Sequence, residues 1–169
     1  MKSLCVLCLA LLVSSVWAQP SPVSNASVQD FVNALRPAAN TRSLGRNLTV
    51  EAAKPEPPPR IDITVGFDFD SSRIQPDSKP DLQNLAIAMK SDDLSRLRFR
   101  IEGHTDAKGN ARYNDALSAR RARSVLEFLT DQGVAGDRLS SIGKGASDPL
   151  IADDVYSAKN RRVRVSVVD

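Results

Sequence analysis

Within residues 101–129, IEGHTDAKGNARYNDALSARRARSVLEFL, a loop with a carboxylate precedes a helix that carries an arginine among apolar positions. When helix positions are placed at about 100° per residue, Arg121 and Asn114 fall in the middle of the apolar arc. Arg120 falls at the edge of that arc, and Arg123 faces away from it. The helical spacing therefore sets Arg121 apart from the other arginines of the helix.

A guanidinium on the apolar side of a helix needs a partner, because it stays charged and an unpaired buried charge is costly. The first interpretation of Arg121 is structural: an ion pair with a carboxylate of the same domain, or a long side chain that returns its charge to solvent. The second is functional: Arg121 lines a pocket and grips a ligand carboxylate with two parallel hydrogen bonds. The helix alone does not decide between them.

The loop ahead of the helix favours the second interpretation. The segment GHTDAKG leaves a strand at Gly103, so Thr105 and Asp106 are expected at the strand end, beside the helix N-terminus. Asp106 and Arg121 would then present an anion and a cation to one cleft. This pair suits a ligand with an amino group and a carboxylate on one carbon, and Asn114 would contact both groups.

Catalysis and metal binding have little support in the sequence. His104, the single histidine, has no serine or cysteine nucleophile signature and no second metal ligand at a recognisable spacing. We interpret it as a structural residue of the strand end, and expect no enzyme activity, cofactor or metal. Acidic and basic residues are equal in number from Ile61 onward, which argues against a nucleic-acid partner.

Periodic apolar residues predict the elements that position this site. IDITVGF (61–67) and LRFRIEG (97–103) alternate in the manner of strands with one buried face. Helical repeats follow each of them, first around residues 76–91 and then from about residue 111 to 131. DRLSSIGKG and RRVRVSVV predict two last strands. The order β-α-β-α-β-β predicts an α+β domain, with one mixed sheet and two helices packed on one face.

Residues 1–18 have the pattern of a cleaved secretory signal peptide: Lys2, an apolar run from Leu4 to about Val16, and Ala18 at the cleavage point. The run is shorter than the roughly 20 residues that a helix needs to cross a bilayer, so we expect no transmembrane segment in the mature chain. Both cysteines lie in the removed segment, so we also expect no disulfide.

Residues 19–60 differ in composition from residues 61–169. SVQDFVNALRP predicts one short helix with Phe31 and Leu35 on one side, and the consecutive prolines of KPEPPPR predict a stiff, extended spacer. We expect a mostly flexible lead with a small ordered patch and a Pro-rich spacer, ahead of a domain at residues 61–169.

Four blocks of the chain together resemble one known family. FDFDSSRIQPDSK (67–79), the stretch at 101–129, DRLSSIGKGASDPL (137–150) and NRRVRVSV (160–167) resemble the OmpA-like C-terminal domain family, a peptidoglycan-binding module of the Gram-negative envelope. The resemblance covers roughly residues 61–169. It implies an OmpA-like sandwich, and a periplasmic protein that is associated with the cell wall or outer membrane.

The resemblance also implies a ligand and its contacts. Domains of this family bind the meso-diaminopimelate of the peptidoglycan stem peptide, without a covalent bond and without catalysis. The aspartate of TDxxG, Asp106 here, takes the ligand's ammonium, and the arginine of LSxxRA, Arg121 here, takes its carboxylate. Asp68 is instead interpreted as a cap of its turn. Further contacts implied for this chain are Thr105, Asn114, Phe69, Asp70, Leu117 and Arg161.

Two roles stay open at this point. The first is peptidoglycan binding that links or locates the protein at the wall. The alternative is a periplasmic adaptor that acts mainly through contacts of residues 19–60 with another envelope protein.

Overall fold

The computed structural model of the chain describes residues 22–37 and 57–168. These residues form three α-helices and four β-strands. The helices are α1 (Val28–Leu35), α2 (Lys79–Lys90) and α3 (Ala111–Asp131), and the strands are β1 (Arg60–Ile63), β2 (Arg98–His104), β3 (Leu139–Gly145) and β4 (Val163–Val168). Short 3₁₀ turns at Pro76–Ser78, Gly136–Arg138 and Ala158–Asn160 precede α2, β3 and β4.

The strands form one open sheet in the order β1-β4-β2-β3. β4 is antiparallel to both of its neighbours, so that Val165 lies opposite Ile61 on one side and opposite Ile101 on the other. β2 and β3 are parallel, and α3 supplies the crossover that parallel neighbours need. The predicted order of strands and helices, and the α+β class with one mixed sheet, are confirmed.

β1 ends earlier than its alternating pattern predicts, because the N–H of Thr64 donates to the carbonyl of Val23 (3.1 Å) rather than to β4. Phe67, which the pattern places in the same strand, pairs with Ile74 in an isolated bridge. Residues 67–74 form a turn beyond the sheet, called the 67–74 turn below.

The apolar core lies between the sheet and the helices. Burying one large apolar side chain of this kind stabilises a fold by roughly 1.5–3 kcal/mol, before the entropy of ordering it is subtracted. The fully buried side chains include Ile63, Phe99, Ile101 and Val165 from the strands, Leu82, Leu85 and Met89 from α2, and Val125 and Leu129 from α3.

α1 packs into this same core. Its apolar side chains Phe31 and Leu35 are fully buried, and the helix contacts α2 and β1. A capping box begins the helix, in which the side chains of Ser27 and Asp30 each accept the other residue's backbone N–H. Asp81 of α2 accepts a further N–H (2.9 Å) from the segment just before α1.

The short helix predicted within residues 19–60 is therefore present, and residues 22–37 share one core with the sheet. The sequence placed this helix in a lead ahead of the domain, because the partner of its apolar face, α2, lies far along the chain. The two helices predicted on the sheet are α2 and α3, and α1 is a third.

Two glycines let α3 lie close to the sheet. A Cβ added to Gly103 of β2 would lie 2.2 Å from the carbonyl oxygen of Ser118, and one added to Gly143 of β3 would lie 2.5 Å from the backbone nitrogen of Ala119. Real Cβ atoms essentially never approach backbone so closely. The glycines thus bring the first half of α3 against the end of β2, where the candidate site lies.

Across residues 22–37 and 57–168, the helices are all too short or too polar to cross a membrane. The predicted signal peptide, residues 1–18, lies outside the described residues, as do residues 19–21 and 38–56 of the predicted lead. Both stay predictions.

Candidate functional site

A cavity of about 400 Å³ lies between the end of β2, the first half of α3 and the 67–74 turn. It is lined by all eight residues that the sequence and the resemblance indicated: Asp106, Arg121, Thr105, Asn114, Phe69, Asp70, Leu117 and Arg161. Phe67, Asp68 and Tyr113 line it as well. The fold brings the predicted residues to one place, while the ligand contact assigned to each stays a prediction.

Bonds to β3 and α3 fix the loop after β2. The backbone N–H of Thr105 donates to the carbonyl of Gly145 (2.8 Å). Asn114 Nδ2 of α3 donates to the carbonyls of Asp106 (3.3 Å) and Lys108 (2.9 Å). Asn114 therefore positions the loop, in addition to lining the cavity.

Both oxygens of the Asp106 carboxylate accept hydrogen bonds. Oδ1 accepts the backbone N–H of Lys108 (3.2 Å), and Oδ2 accepts Nη1–H of Arg161 (2.7 Å). The Asp106 side chain is only 10% exposed, whereas that of Arg161 is 49% exposed. The ion partner of Asp106 is thus Arg161, and not Arg121 on the same cavity wall.

Arg121 is held by its inner edge. Its Nε–H donates to the carbonyl of Ser71 (3.0 Å), and its guanidinium carbon lies 4.8 Å from the centre of the Phe67 ring, a cation–π distance. Within the described part of the chain it forms no ion pair, and its two Nη groups donate no hydrogen bond. The outer edge of the guanidinium is therefore available to a ligand.

Burial lowers the pKa of the Arg121 guanidinium, and the positive charges of Arg161 and Arg120 lower this pKa further. The carboxylates of Asp106 and Asp70 act in the opposite direction. An arginine keeps its charge at neutral pH despite such a shift. Arg121 is thus a permanent, partly desolvated cation that faces two carboxylates of the same cavity.

Arg121 lies inside the arc of buried residues of α3, between Leu117 and Asn114 around the helix axis, and is itself half-buried. The prediction counted Tyr113 and Phe128 in the apolar arc, but Tyr113 is 42% exposed and Phe128 is only half-buried. Arg121 lines the cavity, whereas Arg120 is exposed and lies outside it; that Arg121 is the arginine that binds a ligand stays a prediction. The buried residues of the helix are Asn114, Leu117, Ser118, Ala122, Val125 and Leu129.

The 67–74 turn forms the opposite wall of the cavity. Asp68 pairs with Arg73 across the turn (2.6 Å), so its carboxylate holds the turn through a side chain. Asp70 has a φ of 51°, in the left-handed region that aspartate tolerates better than most residues. The side chain of Phe69 is 99% exposed at the rim.

Two polar side chains at the end of β2 are buried without a hydrogen-bond partner among the described residues: the hydroxyl of Thr105 and both ring nitrogens of His104. Because Thr105 lines the cavity, its hydroxyl can donate to or accept from a ligand.

Burial lowers the pKa of His104 to about 4, helped by the charges of Arg162 and Arg164. His104 is therefore neutral at pH 7.

The arginines of the NRRV block have separate environments. Arg161 lines the cavity, whereas the Arg162 side chain is fully buried and its Nε–H donates to Asp62 (2.9 Å). Arg164 binds the same carboxylate (2.9 Å) and also Asp148 (2.6 Å). The choice of Arg161 as the cavity residue of this block agrees with its position, because Arg162 and Arg164 belong to a structural network.

Sequence reasoning missed three lining residues. Phe67 was assigned to the strand, and only the early end of β1 brings its ring under Arg121. Tyr113 precedes Leu117 by one helical turn, so helical spacing from that predicted contact could have found it. Asp68 was set aside as a turn residue, and its pairing with Arg73 partly justifies that choice.

A larger cavity of about 790 Å³ lies between α1, β1 and residues 148–150. Its buried charged residues, Asp62 and Arg164, bind each other, so a ligand would find neither of them free. No cluster of His, Cys, Asp or Glu among residues 22–37 and 57–168 could hold a metal ion. The smaller cavity is therefore the candidate site.

A sequence model of the OmpA family matches residues 66–163, a range that contains all eight predicted site residues. The chain belongs to the OmpA family. Its OmpA domain is 33% identical in sequence to the solved structure of the peptidoglycan-associated lipoprotein from Burkholderia pseudomallei, with a TM-score of 0.51. That similarity covers 62% of this chain and 86% of the other. The OmpA-like fold is confirmed.

This OmpA-family chain is also similar in sequence to two curated envelope proteins. It is 40% identical over 110 residues to outer membrane porin F of Pseudomonas fluorescens. That alignment covers 64% of this chain and 33% of the porin. It is 35% identical over 129 residues to the peptidoglycan-associated lipoprotein of Pseudomonas aeruginosa. That alignment covers 75% of this chain and 72% of the lipoprotein. The match thus takes in about a third of the porin, but nearly three quarters of the lipoprotein.

Proposed function

We propose that this OmpA-family chain binds peptidoglycan non-covalently, at the meso-diaminopimelate of the stem peptide, and so links or locates the protein at the cell wall. The names of the relatives support peptidoglycan as the ligand, since two of them are peptidoglycan-associated lipoproteins. The chemistry of the cavity supports diaminopimelate as the part of peptidoglycan that is bound. The free end of diaminopimelate carries an amino group and a carboxylate on one carbon, and the cavity holds a fixed carboxylate and a fixed guanidinium.

The observation that carries this proposal is the state of Arg121. A half-buried guanidinium without an ion partner is costly unless something else satisfies it. The carbonyl of Ser71 holds the Nε edge of the guanidinium, and the Phe67 ring lies against its face. These two contacts fix the plane of the guanidinium and leave its two Nη groups without a partner among the described residues. A carboxylate can accept two parallel hydrogen bonds from such a fork.

The rest of the cavity suits the remainder of the ligand. The Asp106 carboxylate takes the ammonium, and the Thr105 hydroxyl, which has no partner among the described residues, is a third polar contact. Leu117 and the Phe67 ring supply apolar surface for the aliphatic chain between the two ends of diaminopimelate. In this arrangement Asn114 acts mainly by holding the loop that carries Asp106.

The experiment that tests the proposal is retention on purified sacculi that contain diaminopimelate. The wild-type mature chain is expected to co-sediment with them, and Asp106→Ala and Arg121→Ala are each expected to weaken binding by about 2–5 kcal/mol, because each leaves a partly desolvated charge without its partner. Arg120→Ala is the matched control, since it removes the same charge from the neighbouring, exposed position. A urea titration of each variant checks that it is folded.

Two results would contradict the proposal at different levels. If wild-type protein is not retained by sacculi, peptidoglycan binding itself is wrong. If the wild type binds and both Asp106→Ala and Arg121→Ala bind equally well, the function stands and the assigned site is wrong.

We also infer a periplasmic location, at the wall or outer membrane, for a chain exported by the predicted signal peptide of residues 1–18. The role is binding without catalysis. A sacculus-turnover assay is expected to show no release of soluble fragments, and release above the buffer control would overturn this inference.

The alternative role, an adaptor acting through residues 19–60, loses its original motive. That motive was the apolar face of the predicted short helix, and the face is buried in the chain's own core through Phe31 and Leu35. A partner at this end would contact the polar side of α1 or other parts of residues 19–60. Crosslinking of the full chain, with and without the α1 surface substitution Asn33→Ala, tests what remains of this role.

A further inference from the structure

Asp106 already binds a cation within the chain. Arg161 Nη1 lies 2.7 Å from Oδ2, and the backbone N–H of Lys108 lies 3.2 Å from Oδ1. The carboxylate to which the proposed function assigns a ligand ammonium is therefore occupied on both oxygens. Each carboxylate oxygen can accept a second hydrogen bond, but a ligand ammonium at Asp106 would stand beside the like charge of Arg161, and that repulsion favours displacement of Arg161.

The position of Arg161 makes displacement easy. Its side chain is 49% exposed, and the bond to Asp106 is its one side-chain hydrogen bond among the described residues. An ion pair with one partner so exposed to water is weak. Asp106, by contrast, is nearly buried and cannot turn to solvent for compensation. Arg161 can thus move into water, whereas Asp106 stays and accepts the next cation.

The charges in the cavity define which ligands succeed. When Arg161 leaves, the nearly buried carboxylate of Asp106 keeps only the backbone N–H of Lys108, so a new positive charge in the place of Arg161 is favoured. A ligand ammonium supplies that charge. A neutral amide N–H does not, so the guanidinium stays and continues to fill the place beside Asp106. The repulsion between Arg161 and Arg121, both of which line the cavity, also favours the departure of Arg161.

We propose, building on the function proposed above, that Arg161 is an internal competitor for Asp106 and that the site accepts only diaminopimelate whose amine is free and charged. In peptidoglycan this amine is acylated wherever it joins a second stem peptide. The ligand class is therefore the stem peptide that is not cross-linked through its own diaminopimelate. Arg161 sets the selectivity without contacting the bound amine.

The test compares two probes: a stem tripeptide that ends in meso-diaminopimelate with its amine free, and the same tripeptide with that amine acetylated. Isothermal titration of the mature chain is expected to give at least tenfold weaker binding of the acetylated probe. Arg161→Gln is expected to bind the free-amine probe about two- to fivefold more tightly, the gain from losing a weak competing ion pair. Arg120→Gln, which removes the same charge from an exposed site, is expected to leave that affinity unchanged.

Each other outcome overturns one named claim: the competitor role of Arg161, the selectivity for a free amine, or the proposed function. If Arg161→Gln binds the free-amine probe equally or more weakly, while Asp106→Ala abolishes binding, then Arg161 is not a competitor and only this inference falls. Equal binding of the two probes by the wild type overturns the selectivity. If the wild type binds neither the free-amine probe nor sacculi, the proposed function falls, and this inference falls with it.

A second measurement uses the polymer itself. Sacculi treated with an endopeptidase that hydrolyses the cross-links regain free amines, and are expected to retain more wild-type protein per unit mass than untreated sacculi. Unchanged or lower retention would contradict the selectivity.

Discussion

Arg161 and Arg162 are adjacent in the chain, yet their guanidiniums have opposite environments. Arg161 is half-exposed and binds Asp106 at the candidate site, whereas Arg162 is fully buried and binds Asp62 of β1. Two arginines of one sequence block thus separate into a residue of the site and a residue of the scaffold. Their substitution effects are expected to separate in the same way.

Arg162→Met is expected to lower the free energy of unfolding by about 3 kcal/mol, because it leaves a buried carboxylate with one partner fewer. The loss falls at the lower end of the range for buried pairs, since Asp62 keeps Arg164. Arg161→Met, at a half-exposed pair, is expected to cost less than about 1 kcal/mol. Urea unfolding monitored by circular dichroism measures both variants. Equal losses for the two would contradict the division between site and scaffold.

Gly103→Ala is expected to destabilise the fold by about 3 kcal/mol and to weaken sacculus binding together with it. Its Cβ would lie 2.2 Å from the carbonyl oxygen of Ser118, so α3 would have to move away from β2 and carry Arg121 with it. Gly136→Ala is the control, because the nearest atom to its Cβ lies 3.9 Å away. Wild-type stability of Gly103→Ala would show that the close approach of α3 is not required.

The stability of the fold is expected to fall as pH falls from about 6.5 to 4, partly because of His104. In the folded chain burial lowers the pKa of His104 to about 4, whereas the unfolded chain keeps the ordinary value near 6.5. Between these pH values the unfolded state binds a proton that the folded state does not, so about 3 kcal/mol present above pH 6.5 is lost by pH 4. His104→Leu removes this contribution.

The measurement for His104 is the difference between wild type and His104→Leu in urea midpoint at pH 7, 5.5 and 4.5. This comparison cancels the carboxylates, which titrate in both proteins over the lower part of the range. The gap between the two proteins is expected to change in favour of His104→Leu as pH falls. A constant gap would mean that His104 does not titrate differently in the folded and unfolded chains.

Phe31→Ala is expected to lower the free energy of unfolding by about 3–5 kcal/mol, the usual cost of emptying a buried aromatic position. Phe31 is fully buried, although it lies outside the residues that match the OmpA family. Gln29→Ala, on the exposed side of α1, is the control and is expected to change stability by less than about 1 kcal/mol. A negligible effect of Phe31→Ala would mean that α1 contributes little to the fold.

Sequence periodicity predicted the elements well, because alternation and helical repeats depend on local geometry. It did not predict where β1 ends, since that depends on Val23, a distant residue that takes the N–H of Thr64. It also did not predict that α1 joins the core, because the elements that α1 packs against, α2 and β1, lie far along the chain. Both differences come from contacts between segments that are far apart in sequence.

The predicted residues do line one cavity, but the bonds among them were not predicted, and their contacts with a ligand stay predictions. The spacing of Asp106 and Arg121 placed them on one cleft, and both do line the same cavity. That Asp106 would bind Arg161, and Arg121 the backbone of Ser71, depends on where the segment between β3 and β4, which carries Arg161, and the 67–74 turn lie in the fold. No local pattern records the position of those two segments.

The close fit of α3 against Gly103 and Gly143 also determines how the domain would bear mechanical load. A pull on a ligand held by Arg121 would act on the middle of a 21-residue helix that lies against the two parallel strands. The force would then be shared by the whole β2-α3-β3 unit, instead of being borne by a surface loop. An anchor built in this way resists tension through its rigid layers.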